Sequence, residues 1–263
     1  KFVLTGAEDL VPVLQQQGSA VEKVQEERDG YLVSRYRPRI EAGFSRIEHW
    51  KELTTGDTHW RITSGDNVTR RYGFTSDSRI ADPADASMVF SWLLDKTEDD
   101  KGNVIVFEYK QENLDNVDPQ SAFEANRFGS TSQANRYLKR IRYGNDIPLL
   151  IDGKRPRFIE NMPNSAPEWM FEVVFDYGEH DALAPKPDDL GRWECWHDSF
   201  STRRPGFEVR TTRLCQRVLM FHHFPDNGTL IGKGYEGLVR STDFIYSHQQ
   251  ESQNPDNIPN AKI

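Results

Sequence analysis

The residues best suited to chemistry lie in a few short polar strings of this 263-residue chain. One of them, Gly232-Lys233-Gly234-Tyr235-Glu236-Gly237, has the glycine spacing of a dinucleotide-binding loop. Such a loop needs a helix N-terminus after it to receive the pyrophosphate, whereas the β-branched and aromatic run from Leu238 to Tyr246 predicts a strand. We therefore interpret the string as a turn between strands and predict no cofactor.

Histidines beside acidic residues are the second candidate, for a metal ion or for acid–base catalysis. His222-His223 precedes Asp226, and His197-Asp198 follows Glu194. Adjacent residues of a strand point to opposite faces, so the two neighbouring histidines would not bind one ion together. Histidines that only need a hydrogen-bond partner are the commoner case, and we predict no metal site.

Nucleophilic residues have no supporting partners in the sequence. No local signature of a base or of a lowered pKa accompanies Cys195 or Cys215, which predicts two buried cysteines. Ser130-Thr131-Ser132 resembles the central element of mono-ADP-ribosyltransferases, whose chemistry also needs a downstream Glu-x-Glu pair. No two glutamates after Ser132 are two residues apart, so the string predicts a polar loop. We predict no catalytic residue and no enzymatic activity.

Arginine clusters and tryptophans leave binding functions open. The arginines indicate either a basic face or, on strands rich in glutamate, cross-strand ion pairs worth under about 1 kcal/mol each. Four tryptophans beside polar residues leave open a host-receptor or glycan-binding module, although core packing is commoner. These residues are Arg35, Arg37, Arg39, Arg203, Arg204, Arg210, Arg213 and Arg217, with Trp50, Trp60, Trp193 and Trp196.

Composition excludes several classes of partner. Lys and Arg number 33 against 41 Asp and Glu, and the resulting charge of −8 repels nucleic-acid phosphates and anionic lipids. The mean hydropathy is −0.74, and the longest nearly apolar run, Met88 to Leu94, is far shorter than a bilayer span. Two cysteines are too few for a disulfide framework or a four-ligand zinc site. We predict no nucleic-acid partner and no membrane insertion.

Short β-rich runs separated by Gly, Asn, Asp and Pro predict a mainly β fold of long antiparallel strands and hairpins, with few short helices. His59 to Thr63 and Val68 to Tyr72 flank four turn residues and predict a hairpin. A second predicted hairpin joins Val89 to Leu94 with Val104 to Lys110. The longest predicted strand is Phe207 to Phe224. Further predicted strands are Gly30 to Tyr36, Phe44 to Trp50, Tyr137 to Tyr143, Pro156 to Glu160, Trp169 to Tyr177, Leu230 to Ile231 and Leu238 to Tyr246.

Helical patterns are scarce and the ends are polar. The sequence predicts helices only at Ser19 to Glu27, where Ser19 is placed as a cap, and at Ser121 to Asn126. We divide the chain into a β scaffold domain over residues 1–248 and a polar linker or disordered end over 249–263. Because the first residue is Lys1, we expect a segment cut from a longer protein.

Several long strings together resemble one family over nearly the whole chain. They are similar to the SpvB domain, which opens the B subunits of insecticidal Tc toxin complexes of the TcaC and TcdB type and the plasmid virulence protein of Salmonella. Asn135 to Asn145 also resembles an RHS-type strand-turn unit. The strings are Leu4 to Pro12, Tyr36 to Glu41, Ser78 to Pro83, Asp100 to Asn103, and Phe207 to Thr211 running on to His222.

The resemblance implies a non-catalytic structural domain of a secreted bacterial toxin. In Tc toxins the B and C subunits form a β shell that encloses and delivers a toxic cargo, so the implied partners are an RHS-repeat C subunit, a following β-propeller and, indirectly, a pore-forming A subunit. The implied location is extracellular, with the bacterial cytoplasm before export. In SpvB-type proteins the enzyme is a separate C-terminal ADP-ribosyltransferase module, so no catalytic residues carry over. An NAD-dependent transferase module and a receptor- or glycan-binding module stay open as alternatives, as do the cargo and the type of parent protein.

Overall fold

The computed structural model describes residues 2–5, 9–40, 43–122, 124, 127, 133–150, 168–188, 191–226 and 234–247. Regular structure in these ranges consists of nineteen strands and one 3₁₀ turn at Ser76–Ser78. The fold is therefore mainly β, as the spacing of apolar runs and turn residues predicts. No helix in the described ranges is long and apolar enough to cross a membrane.

The strands follow one another closely along the chain, with bounds as follows. They are β1 (Phe2–Val3), β2 (Asp9–Pro12), β3 (Leu14–Gln17), β4 (Ala20–Lys23), β5 (Gln25–Arg28), β6 (Tyr31–Pro38), β7 (Arg46–Glu52), β8 (Thr58–Thr63), β9 (Thr69–Tyr72), β10 (Arg79–Asp82), β11 (Asp85–Trp92), β12 (Leu94–Glu98), β13 (Val104–Gln111), β14 (Arg136–Asn145), β15 (Trp169–Asp176), β16 (Phe200–Thr202), β17 (Val209–Thr211), β18 (Arg217–Phe224) and β19 (Tyr235–Asp243).

Thirteen of these strands form one antiparallel sheet. Its order is β1-β2-β6-β7-β8-β9-β12-β13-β14-β15-β18-β19, and β5 pairs with β6 beside β2. Three two-stranded hairpins, β3–β4, β10–β11 and β16–β17, leave this sheet as excursions. Each time, the chain returns to pair with a strand of the same sheet, so the sheet continues across all three excursions.

The first predicted hairpin is confirmed. Strands β8 and β9 pair from Trp60↔Tyr72 to Thr63↔Thr69. The turn between them places Asn67 at a φ of 61°, a left-handed conformation that asparagine tolerates better than most residues. The hydroxyl groups of Thr63 and Thr69 lie 2.9 Å apart and close the end of the ladder.

The second predicted hairpin has the right turn but the wrong first arm. Strand β13 pairs with β12 (Leu94–Glu98), whereas residues 89–92 belong to β11, in which Val89, Ser91 and Trp92 pair with β10. The arm Leu94–Glu98 carries buried charges, since Asp95 and Lys96 are only 4% and 3% exposed. A charged sequence of this kind is typical of an exposed segment. For that reason the prediction placed the first arm of the hairpin in the apolar run before it, which is wrong.

The predicted helix from Ser19 to Glu27 is wrong, because this stretch forms β4 and β5. Gly18 turns the chain with a φ of 61°, and β4 pairs back on β3. Val24 then bridges two strands: its N–H donates to the Val13 carbonyl, and its own carbonyl accepts from the Arg35 N–H. Main-chain pairing with β6 thus overrides the local capping pattern. Half of the second predicted helix, Ser121 to Asn126, lies outside the described residues.

The predicted long strand from Phe207 to Phe224 is interrupted. Strand β17 ends at Thr211 and β18 begins at Arg217, and the residues between them leave the ladder. There the Trp196 N–H donates to the Thr212 carbonyl, and the Arg213 side chain turns into the interior. Strands β6, β7, β14, β15 and β19 confirm five further predictions, while Pro156 to Glu160 and Leu230 to Ile231 lie outside the described residues.

Two His-Trp dipeptides lie opposite each other on adjacent antiparallel strands in the N-terminal part of the sheet. On β7 and β8 the register pairs His49 with Trp60 and Trp50 with His59. Because neighbouring residues of a strand face opposite sides, one histidine–tryptophan pair lies on each face of the sheet. The ring centroids are 4.6 Å apart in the first pair and 5.7 Å apart in the second.

Both histidines of these pairs are difficult to protonate. Burial, followed by the charges of Lys51 and Lys23, lowers the pKa of His49 to about 4. Burial likewise lowers the pKa of His59 to about 2, and the charges of Arg61, Arg71, Arg79 and His49 add to this effect. Arg61 Nε also donates a hydrogen bond to His59 Nε2 over 3.1 Å, so this nitrogen holds a lone pair and no proton.

We predict that acid destabilises the sheet through these two histidines. An unfolded histidine has a pKa of about 6.5, so below that pH the unfolded chain binds protons that the folded chain does not, and stability falls. Between pH 7 and pH 5 each histidine contributes a loss of roughly 2 kcal/mol in the free energy of unfolding. Urea unfolding at the two pH values should show this loss, and the loss should be much smaller in the double variant His49→Gln/His59→Gln.

The exposed His197 provides the control, and His197→Gln should leave the pH dependence of stability unchanged. Equal pH dependence in all three proteins would contradict the prediction.

Candidate functional site

Glu112 and Arg213 form an ion pair in which both side chains are 0% exposed. Arg213 Nη2 lies 2.5 Å from Glu112 Oε1, and Arg213 Nε donates to the same oxygen over 3.0 Å. The other carboxylate oxygen accepts hydrogen bonds from the Tyr137 hydroxyl, at 3.0 Å, and from the Thr212 hydroxyl. We call Glu112, Arg213, Tyr137 and Thr212 the central ion-pair cluster. It joins the end of β13 to the segment before β18.

Arg213 also contacts backbone that belongs to no strand. Its Nη1 donates to the carbonyl oxygens of Asp115, at 2.7 Å, and Glu194, at 3.0 Å. Burial alone would raise the pKa of Glu112, but the hydrogen bonds from Arg213 and Thr212 and the charge of Arg213 outweigh burial and hold that pKa below its usual range. The pair is therefore ionised and satisfied, and it fixes two loops against the sheet.

A second buried cluster contains three groups of metal-ligating type. One ligand atom from each of Asp176, Glu179 and His180 lies within 4.8 Å of the other two, and all three residues are buried. Asp176 ends β15 and the other two follow it in one turn, where the Gly178 and His180 N–H groups donate to Asp176 Oδ1. The sequence does contain a signal for this cluster, because two acids and a histidine stand at positions i, i+3 and i+4. The sequence analysis above missed this spacing.

Cationic side chains already occupy this second cluster. The Lys139 ammonium donates to Glu179 and lies 2.8 Å from His180 Nε2, while Arg217 Nη2 lies 2.5 Å from Asp176 Oδ2. His180 Nδ1 is 2.8 Å from the Lys186 carbonyl, which fits an Nδ1–H donor and leaves Nε2 to accept from the ammonium. The donor set thus fits internal ion pairing, since a metal ion would have to displace two charged partners.

The adjacent histidines on β18 point to opposite faces, as predicted. The His222 ring packs against Phe171 and Phe224, with centroids 5.1 and 5.2 Å away. The His223 ring instead lies between two carboxylates: Nε2 is 3.0 Å from Glu172 and Nδ1 is 2.5 Å from Glu236. His223 therefore links β15, β18 and β19. His197 and Asp198, the other sequence candidates, are exposed.

The cysteines are half-buried rather than buried, and both are free thiols. Burial, with a smaller contribution from the Asp176 carboxylate, raises the pKa of the Cys215 thiol to about 11, which disfavours the thiolate. Of the glycine-rich string, Tyr235–Gly237 lies within β19, so the turn prediction is wrong for these residues, while the predicted strand from Leu238 is confirmed as far as Asp243. Gly232, Lys233 and the string Ser130 to Ser132 lie outside the described residues.

The arginine and tryptophan predictions are partly corrected. Arg210 and Arg213 are 2% and 3% exposed and pair with buried glutamates, so they form neither a basic face nor the weak cross-strand pairs that the sequence predicts. Their carboxylate partners, Glu124 and Glu112, lie far away in the sequence. Arg35, Arg37 and Arg39 are exposed on or just beyond β6. Three of the four tryptophans proposed for glycan binding lie in the core: Trp50, Trp60 and Trp193.

We predict that the central ion-pair cluster is needed for stability. The variant Glu112→Gln removes the charge that compensates Arg213 in a fully buried environment, which should lower the free energy of unfolding by about 3–5 kcal/mol. The matched control is Glu108→Gln, because Glu108 pairs with Arg142 at 2.5 Å but is 39% exposed. Its loss should be under about 1 kcal/mol. Urea unfolding compares the two, and similar losses would show that burial does not set the importance of the pair.

Comparisons with known proteins connect this fold to bacterial virulence factors. Residues 1–224 match the family model SpvB, described as Salmonella virulence plasmid 65kDa B protein. The chain is 36% identical over 199 residues to the mono(ADP-ribosyl)transferase SpvB of Salmonella typhimurium, a match that covers 74% of this chain and 32% of that protein. The SpvB of Salmonella choleraesuis (strain SC-B67) matches with the same identity and coverage. The chain thus spans about a third of the length of these relatives.

Solved structures extend the similarity to Tc toxins. The N-terminal domain of the effector protein SpvB from Salmonella typhimurium strain LT2 has a TM-score of 0.73 and 32% identity, covering 91% of this chain and 79% of that one. The TcdB2-TccC3-Cdc42 structure has a TM-score of 0.67 and 30% identity, covering 87% of this chain and 11% of that one. The Photorhabdus luminescens Tc holotoxin pore has a TM-score of 0.68 and 31% identity, covering 87% of this chain and 10% of that one.

The matched region identifies what the chain corresponds to. The solved SpvB structure that it matches is the N-terminal domain of that effector, and the C-terminal ADP-ribosyltransferase domain of SpvB lies outside the matched region. The strings from Leu4 to His222 that suggested the resemblance lie within the residues of the family match. The chain belongs to the SpvB family.

Proposed function

We propose that this chain is a non-catalytic wall element of a secreted bacterial toxin, in which it contributes strands to a β shell that encloses and delivers a toxic cargo. The observation that carries the proposal is the thirteen-stranded antiparallel sheet, which continues across every excursion of the chain. A wall needs this property, because each strand must satisfy the backbone of its neighbour without a gap.

The edge strand β19 supports a continuation of this wall. It pairs with β18 from Arg217↔Asp243 to Phe224↔Tyr235, and within the described residues no strand pairs with its other side. Val239 is 51% exposed, and just beyond the strand Ile245 is 74% exposed. Soluble proteins generally protect long edge strands with charges or a covering element, so exposed apolar residues at this edge favour an added strand or layer.

Charged side chains link the strands sideways near this edge. Glu108 on β13 pairs with Arg142 on β14, and Arg140 Nε lies 2.8 Å from Glu172 on β15. His223 then joins Glu172 to Glu236 on β19. Single exposed pairs contribute little, but a connected series across five strands resists sliding of one strand against the next. Such resistance suits the wall of a β shell, in which the strands must keep their register.

The similarity to Tc toxin structures supports the proposed setting. This chain resembles part of the TcdB2-TccC3 chain and of the Photorhabdus luminescens holotoxin pore, and it covers only about a tenth of each. By analogy the proposed partners are an RHS-repeat C subunit and a following β-propeller, with a pore-forming A subunit contacted indirectly. The proposed location is extracellular, after synthesis in the bacterial cytoplasm.

We predict that the isolated chain associates with itself through the β19 edge. Sizing chromatography over a series of concentrations should show larger species as the concentration rises, since an unpaired apolar edge templates pairing. The variant Val239→Lys/Ile245→Lys should elute as a monomer. Val21→Lys provides the control, because Val21 is 65% exposed on β4, away from this edge. A concentration-independent monomer before any substitution would contradict the prediction.

The proposed function itself is tested by protection of the cargo. The parent protein, with or without residues 1–263, is co-purified with an RHS-repeat partner and treated with protease. We expect the C-terminal segment of the partner to be protected with the full chain and degraded after the deletion, because the wall is then open. Protection that persists after the deletion, with the partner still bound, would place these residues outside the shell. NAD hydrolysis by the purified chain would favour the alternative of an NAD-dependent transferase module.

A further inference from the structure

A groove of about 920 Å³ lies between the N-terminal part of the sheet and two of the excursions. Its floor includes Trp60, Ile62 and Tyr72 from β8 and β9. Strand β11 lines it from Ser87 to Trp92, and the turn between β16 and β17 contributes Arg204, Pro205 and Phe207. The groove therefore requires both hairpins, which are more than a hundred residues apart in the sequence.

Strand β11 leaves apolar side chains uncovered along this groove. Met88 and Phe90 both line it and are 52% and 47% exposed. The partner strand β10 pairs only at Asp85, Val89, Ser91 and Trp92, because two register shifts interrupt the ladder. Residues 86–88 and 90 thus have no register partner in β10. A strand with an irregular ladder and exposed apolar residues is suited to receive another extended chain.

The charged residues that line the groove indicate which chemical groups its ligand carries. Among its described lining residues Arg204 is the one charged side chain, and the others are apolar, aromatic or hydroxyl-bearing. Arg204 thus gives a mostly apolar groove one positive group, although the chain as a whole has a net charge of −8. A positive group favours a ligand with a carboxylate beside it.

We propose that this groove binds an extended segment of a partner polypeptide that carries apolar side chains at every second position and a carboxylate opposite Arg204. An extended chain places alternate side chains on one face about 6.6 Å apart, which suits a floor of aromatic and aliphatic residues from adjacent strands. Its backbone would pair along β11, beside Ser87 and Ser91. Peptide binding at this site is separate from the proposed wall function, because binding requires only the groove and one peptide.

Fluorescence anisotropy with a defined probe tests the site. The probe is a fluorescein-labelled decapeptide that alternates valine with threonine and ends in a free carboxylate, and the 263-residue chain is titrated into it. We expect saturable binding that Met88→Glu or Phe90→Glu weakens by about tenfold or more, since both place a charge where an apolar anchor would pack. Leu183→Glu is the control, because Leu183 is 97% exposed outside the groove, and this variant should bind like the parent chain.

A second pair of measurements tests the carboxylate. Arg204→Glu should weaken binding of the acid probe by about fivefold to tenfold, and amidation of the probe should make binding insensitive to this substitution. Hydrogen exchange in β11 should slow when the acid probe is added. The proposal is overturned if no saturable binding occurs up to about 1 mM of the 263-residue chain, or if the groove variants bind like Leu183→Glu while their thermal midpoints are unchanged. Oleate that binds in the groove while the peptide does not would also overturn it, in favour of a lipid.

Discussion

The ion pair between Glu112 and Arg213 is the contact on which the C-terminal half of the sheet depends. Glu112 follows β13 and Arg213 precedes β18, so this one contact connects segments a hundred residues apart and spans β14 and β15 between them. Without water, neither charge tolerates the loss of the other. The position of the loops that cover this half of the sheet therefore follows from one carboxylate and one guanidinium.

Buried charge is a general property of this sheet. In the N-terminal half Arg71 Nε lies 2.8 Å from Asp95, and Lys96 Nζ lies 2.5 Å from Glu98, with three of these four side chains less than a tenth exposed. Replacement of such pairs by apolar residues is often neutral or stabilising in other proteins, so their value here lies more in specificity than in net stability. A flat sheet with apolar faces could slide by two residues with little change in burial, whereas a misplaced charge would lose its partner. The buried pairs thus define the register.

The strand content and several strand positions could be predicted from the sequence, because turn chemistry and alternation are local signals. The β8–β9 hairpin is the best example, since Asn67 and its neighbours specify the turn directly. The errors share one cause: a distant partner decides the structure. The stretch at Ser19 has a helix cap pattern but pairs with β3 and β6, and the long predicted strand ending at Phe224 is interrupted because Arg213 turns inward to Glu112.

The clusters were harder to predict than the strands. Asp176, Glu179 and His180 are near one another in sequence, yet their partners Lys139 and Arg217 come from two other strands, so spacing alone cannot distinguish a metal site from an ion-pair cluster. The same holds for Arg210 and Arg213, which sequence reasoning treats as surface residues because arginine is seldom fully buried. Only the fold shows that their carboxylate partners are already in place.

The three hairpin excursions take no part in the strand pairing of the thirteen-stranded sheet. Since β9 pairs directly with β12, and β15 with β18, residues can be inserted or lost within β10–β11 or β16–β17 without a change of register in the sheet. Relatives can therefore diversify these hairpins while they keep the same frame. Evolution can in this way alter what the surface recognises at little risk to the architecture beneath it.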